Sequence, residues 1–160
     1  MERKMNTPLE IQPYVGVGPL KFGMTADEVA AEIGLPDCIE DEGDEIREFR
    51  EKNDFHVVYA KDGTGVVEMG FGSGVKLLQY DSMYVFKETP LDVLKHIVGL
   101  GNKPYESLGF LVFLDIGITF TGFHDLDEDD DDDDNGEKAV TVFKLGRWDD
   151  WRDKLSEYKI

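Results

Sequence analysis

Two near-copies of one helix start stand sixty-four residues apart, and that spacing constrains the fold more than any other feature of the chain. Thr25 suits an N-cap, Glu28 follows three residues on, and Val29, Ala30 and Ile33 form an apolar stripe. A threonine hydroxyl that takes an amide of the first turn, answered by a glutamate reaching back, satisfies two orphan donors at once. Met24 and Val29 are placed to staple the entry, Gly34 supplies a left-handed stop, and Pro36 blocks continuation. In the second copy Thr89 is the cap, Pro90 takes the first helical position, and Asp92 stands where Glu28 stood. Val93 and Ile97 repeat the stripe, Phe86 matches Phe22, and Gly99 marks the end.

Strand signals follow each helix. Residues 46–51 and 55–60 flank a turn at 52–54, and Asp62-Gly63 separates the latter from 66–71. Residues 75–80 and 83–86 read as further extended segments, and 108–114, 118–123 and 139–145 follow the second helix. The order of one helix and then three strands, met twice, predicts an α+β fold of two tandem helix-plus-antiparallel-sheet units. The units are expected at 13–82 and 83–160, after a loose, flexible arm at 1–12, with the helices on one face of the sheet. Trp148, Trp151, Leu155 and Tyr158 have helical spacing, which predicts a C-terminal helix over 147–158 packed on the body.

Charge narrows the function. The net charge is −18, and the stretch 125–137 alone holds ten acids. Such a surface repels nucleic acid and anionic membranes and attracts basic proteins. Cys38 is the only cysteine, so neither an internal disulfide nor a cysteine zinc cluster is predicted. The first residues are polar, and the apolar-rich stretch 108–123 is interrupted by Asp115 and glycines. A cytoplasmic protein is expected.

Recognisable catalytic patterns are absent. Asp131, Asp133, Asn135 and Gly136 fit the opening of a calcium loop, but Val142 stands where a bidentate glutamate belongs. The glycines at 70, 72 and 74 lack the spacing of a phosphate-binding loop and suit bends in a sheet. His56, His96 and His124 are scattered, and Cys38 lies in an acidic stretch with no base beside it in sequence. No catalytic residue, metal ligand or cofactor is predicted.

The stretch Phe22-Gly23-Met24-Thr25-Ala26-Asp27-Glu28-Val29, followed by Gly34-Leu35-Pro36-Asp37, resembles the opening of repeats in two protein families. These are the β-lactamase inhibitor protein group and the BamE/SmpA-type outer-membrane lipoproteins. The resemblance implies a helix preceding an antiparallel sheet, in tandem copies, and a fold used for protein binding. The second copy departs from it, reading Phe86-Lys87-Glu88-Thr89. Cys38 alone cannot supply the inhibitors' disulfides, and the lipoproteins' N-terminal cysteine is missing.

The leading expectation is a non-catalytic protein-binding module of bacterial type, such as an immunity or inhibitor protein neutralising a basic partner. Strand parity sends Ile118, Phe120, Val140 and Val142 to the core. It leaves Thr119, Thr121, Phe123, Thr141 and Phe143 on an open, partner-binding face. Asp127, Asp129, Asp131 and Asp133 in the acidic hairpin loop would steer the partner. The alternative is a small-ligand or divalent-cation-binding protein using that loop, and the third is an enzyme with a carboxylate site.

Overall fold

A computed structural model describes residues 8–107, 110–123 and 138–158. Both threonines begin helices. Thr25 N–H donates to Glu28 Oε1 at 2.9 Å and Glu28 N–H to Thr25 Oγ1 at 3.2 Å, opening α1 (Ala26–Ile33). The hydroxyl of Thr89 accepts from Asp92 N–H at 3.3 Å, opening α2 (Pro90–Gly99). Gly34, at φ 92°, ends α1 in a conformation that a side chain would strain.

Among the described residues, fourteen strands account for most of the remaining order. β1 (Leu9–Gln12), β2 (Gly16–Val17), β3 (Leu20–Lys21), β8 (Leu78–Tyr80) and β9 (Met83–Tyr84) make a small sheet in the order β3-β2-β1-β8-β9. The other nine are β4 (Cys38–Asp41), β5 (Glu45–Arg50), β6 (Phe55–Ala60), β7 (Gly65–Gly72), β10 (Tyr105–Ser107), β11 (Phe110–Phe113), β12 (Ile118–Thr121), β13 (Ala139–Phe143) and β14 (Ser156–Glu157). They form one antiparallel sheet in the order β14-β10-β11-β12-β13-β7-β6-β5-β4.

One face of this sheet is the core. Phe55, Phe71, Val140, Phe120 and Leu111 lie side by side across five strands, with Val57, Met69, Val142, Ile118 and Phe113 in the next row. All are buried in one cluster with Val29 and Ile33 of α1, Val93, Leu94 and Ile97 of α2, and Leu9, Ile11 and Leu78 of the small sheet. Burying a large apolar side chain is worth roughly 1.5–3 kcal/mol, so these rows hold the sheet to its helices. The end of α1 is also tied down by charge. Arg50, 2% exposed, donates from Nη2 to the Gly34 carbonyl at 2.8 Å and faces Glu48, 6% exposed. Tyr59 donates its hydroxyl to Glu48 Oε1 at 2.9 Å, so the buried carboxylate is held from two sides.

Three expectations are corrected. The chain is a sheet-dominated fold and is not built as two tandem helix-plus-sheet units. Five residue pairs join β13 directly to β7, so strands from either side of residue 82 form one sheet. Meanwhile β8 leaves the large sheet to pair with β1 in parallel. The apolar alternation of β7 reads the same whichever strand flanks it, which is why the sequence hid this pairing.

No C-terminal helix spans 147–158; a 3-10 turn, Asp149–Lys154, leads into β14 instead. Both ends of that segment are fixed to the sheet, by Arg147 on Glu68 and Glu45 and by Tyr158 N–H on the Pro104 carbonyl. Tethers at both ends override helical spacing. The arm expected at 1–12 is ordered from Leu9, because Leu9 and Ile11 are buried in β1.

Candidate functional site: the glycine-floored face

The second face of the large sheet carries the polar positions. One cross-strand row reads Phe49, His56, Gly70, Thr141, Thr119 and Val112, from β5 to β11. The next row reads Arg47, Val58, Glu68 and Phe143, and a third places Gly72 beside Ala139 and Thr121.

At Gly70 and Gly72 the central strand presents no side chain. The imidazole of His56 lies across Gly70, where a Cβ would fall 2.0 Å from its Cε1. The Asp54 carboxylate lies over Gly72, where a Cβ would fall 2.2 Å from Oδ1. Asp54 sits in the left-handed region at φ 56° and accepts from Gly74 N–H at 2.8 Å. The result is a depression of about 350 Å³ with the two glycines among its lining. Phe49, Glu51, Asp54 and His56 flank it from β5 and β6, and Lys138, Ala139 and Thr141 from β13.

Beyond this depression the face is held by an alternating array of ions. Arg47 contacts Glu42 at 3.0 Å, Glu68 at 3.7 Å and His56 Nε2 at 2.8 Å. Arg147 donates to Glu68 Oε1 at 2.8 Å and to both oxygens of Glu45 at 2.6 and 3.0 Å. Burial alone would raise the Glu68 pKa. The His56 hydrogen bond and the charges of Arg147 and Arg47 outweigh it and hold the carboxyl below its ordinary value. The far part of the face is roofed. Tyr14 meets Phe143 edge-on at 6.1 Å, Trp148 lies 6.1 Å from the same ring, and the Tyr14 hydroxyl donates to the Leu114 carbonyl.

The residues expected on an open face therefore divide. Thr141 lines the depression, and Thr121 is half-buried on the same face. Thr119 is on that face too, but it is 4% exposed and its hydroxyl has no hydrogen-bond partner. Phe143 is on the face but covered, and Phe123 is in the core against Phe120 and Phe86. Gly122 explains the last of these, because its φ of 81° breaks the alternation after Thr121. Asp127, Asp129, Asp131 and Asp133 lie outside the described residues, as does His124.

Parity missed Phe49, Asp54 and His56 as members of the site. The signal was available as glycines at alternate positions, 70 and 72, on a strand otherwise rich in large side chains.

Among the described residues no serine, threonine or cysteine is hydrogen-bonded to a histidine; His56 engages Arg47, and His96 engages Asp81. Among them, too, no group of three or more His, Cys, Asp or Glu could hold a metal ion, and no helix is long and apolar enough to cross a membrane. Cys38 is exposed, away from any histidine contact.

The chain matches no family model, and no curated protein or solved structure is significantly similar to it. The likeness read from Phe22 to Asp37 rests on those residues alone.

Proposed function

We propose that this chain is a non-catalytic protein-binding module that receives a basic side chain of its partner in the glycine-floored depression. The observation that carries the proposal is the composition of that hollow. His56 and Asp54 lie over its two glycines, and the Phe49 ring and the carboxylates of Glu51 and Asp54 border it. An aromatic face and two carboxylates suit a guanidinium or ammonium group, through cation–π attraction and charge-assisted hydrogen bonds. A net charge of −18 adds long-range attraction for a basic partner. Neutralisation of a basic toxin by an immunity or inhibitor protein is the role that suits this size and charge.

The test is an NMR titration of the full chain with Gly-Arg-Gly and, separately, Gly-Glu-Gly. Shifts confined to Phe49, Asp54, His56, Gly70, Gly72 and Thr141 with the arginine peptide alone support the assignment. Asp54→Asn keeps a residue that tolerates the left-handed backbone and can accept from Gly74, yet removes the charge. It should weaken the response together with Glu51→Gln. Shifts scattered over the surface, or equal for both peptides, remove the proposal.

A further inference from the structure

The large sheet ends in two unlike edges. β14 is two residues long, and Glu157 on it is paired with Lys103 at 2.6 Å. β4 is four residues long, pairs among the described residues only with β5, and is exposed along its whole length. The Glu42 N–H donates to the Glu45 carbonyl at 2.8 Å. Ladder bonds alternate residue by residue in an antiparallel pair. Ile39 and Asp41 therefore turn their N–H and C=O groups away from β5, toward solvent.

Sheet edges are commonly blunted by lysine, proline or a bulge, since a bare edge is a template for another strand. β4 has none of these: it reads Cys-Ile-Glu-Asp, in unbroken register with β5. What it has is negative charge. From Asp37 to Glu45 there are six acids and no lysine or arginine. Lys61 answers Asp41, Arg47 answers Glu42, and Arg147 answers Glu45. Among the described residues Asp37, Glu40 and Asp44 have no cation partner. Two apolar side chains stand beside them, Leu35 at 81% and Ile39 at 60% exposure.

This charge selects the occupant. A second copy of the chain set edge to edge would bring Glu40 and its neighbours against carboxylates, and like charges across a strand pair are destabilising. A strand carrying lysine or arginine would place cations there, gain main-chain hydrogen bonds at Ile39 and Asp41, and cover Ile39. We propose that β4 is a strand-addition site for an extended, lysine- or arginine-bearing segment of a partner protein. The site is separate from the glycine-floored depression, and either can stand without the other.

The experiment is amide hydrogen exchange on the full chain with synthetic octapeptides of alternating Lys and Val, or alternating Glu and Val. With the lysine peptide, the Ile39 and Asp41 amides should slow by about tenfold or more, as paired backbone does. The glutamate peptide should leave them unchanged. Ile39→Pro removes an outward N–H and should abolish the protection. Glu40→Lys combined with Asp44→Lys keeps the edge backbone and should transfer the effect to the glutamate peptide, which decides the matter if the proline variant fails to fold. Unchanged amides at saturating lysine peptide would overturn the proposal. So would protection that rises with protein concentration alone, which is self-pairing, or protection confined to Phe49 and Thr141, which is the depression.

Discussion

Arg147 and Glu68 lie seventy-nine residues apart in the chain, and Nε of the one donates to Oε1 of the other at 2.8 Å. The contact fastens the turn after β13 to the middle of the sheet. The same guanidinium grips Glu45 through two further bonds.

Arg147→Ala should therefore leave the partly covered carboxylates of Glu45 and Glu68 without their shared cation. Removing one partner of a fully buried pair costs 3–5 kcal/mol, and for these partly covered side chains a loss of about 2 kcal/mol is expected. Urea unfolding measures it. Arg147→Lys should recover only part of the loss, because an ammonium cannot reproduce the planar fork.

Acid should expose the same array. The Glu68 pKa is held below the ordinary 4.5, so its contribution is fully present above that pH and is lost as pH falls through the depressed value. The urea midpoint of the native chain should drop below about pH 4.5, and that of Glu68→Gln should drop less.

Alkali acts on the opposite face of β5, where Glu48 lies. Burial, with the charge of Glu48 beside it, pushes the Tyr59 hydroxyl well above the ordinary 10.0. A raised value means stability that is complete below pH 10.0 and lost as pH climbs beyond it. Tyr59→Phe should flatten that alkaline limb. It should also cost about 1–2 kcal/mol at neutral pH, since Glu48 loses a hydrogen bond while buried.

Gly70→Ala should act through His56. The new methyl meets the imidazole, so the ring must swing away from its place above β7. Overpacking of this kind costs about 1–3 kcal/mol. In the double variant with His56→Ala the loss should be smaller than the sum of the single losses, a coupling that a double-mutant cycle reads directly.

Legibility followed the range of the interactions. The Thr25–Glu28 pair was readable because both bonds close within one helical turn. Ile118, Phe120, Val140 and Val142 were readable because a hairpin keeps period two, and the register pairs Ile118 with Val142 and Phe120 with Val140 in the core. Thr141 on the candidate site followed from the same parity, whereas Phe123 did not, because Gly122 turns the chain one residue earlier. β4 and β10 were passed over, since an exposed edge and a short polar strand carry no apolar alternation. The pairing of β7 with β13 was invisible, as no local pattern names the neighbour of a central strand.

That pairing reaches into how the chain is made. β7 is finished when residue 72 leaves the ribosome, but the strand that closes its free side begins only at Ala139. During the interval an eight-residue, largely apolar edge waits with its amides and carbonyls unmet. The dense acids at 125–137 emerge immediately before the closing strand. Nascent chains thus carry their strongest mutual repulsion just as the last opportunity for wrong pairing ends.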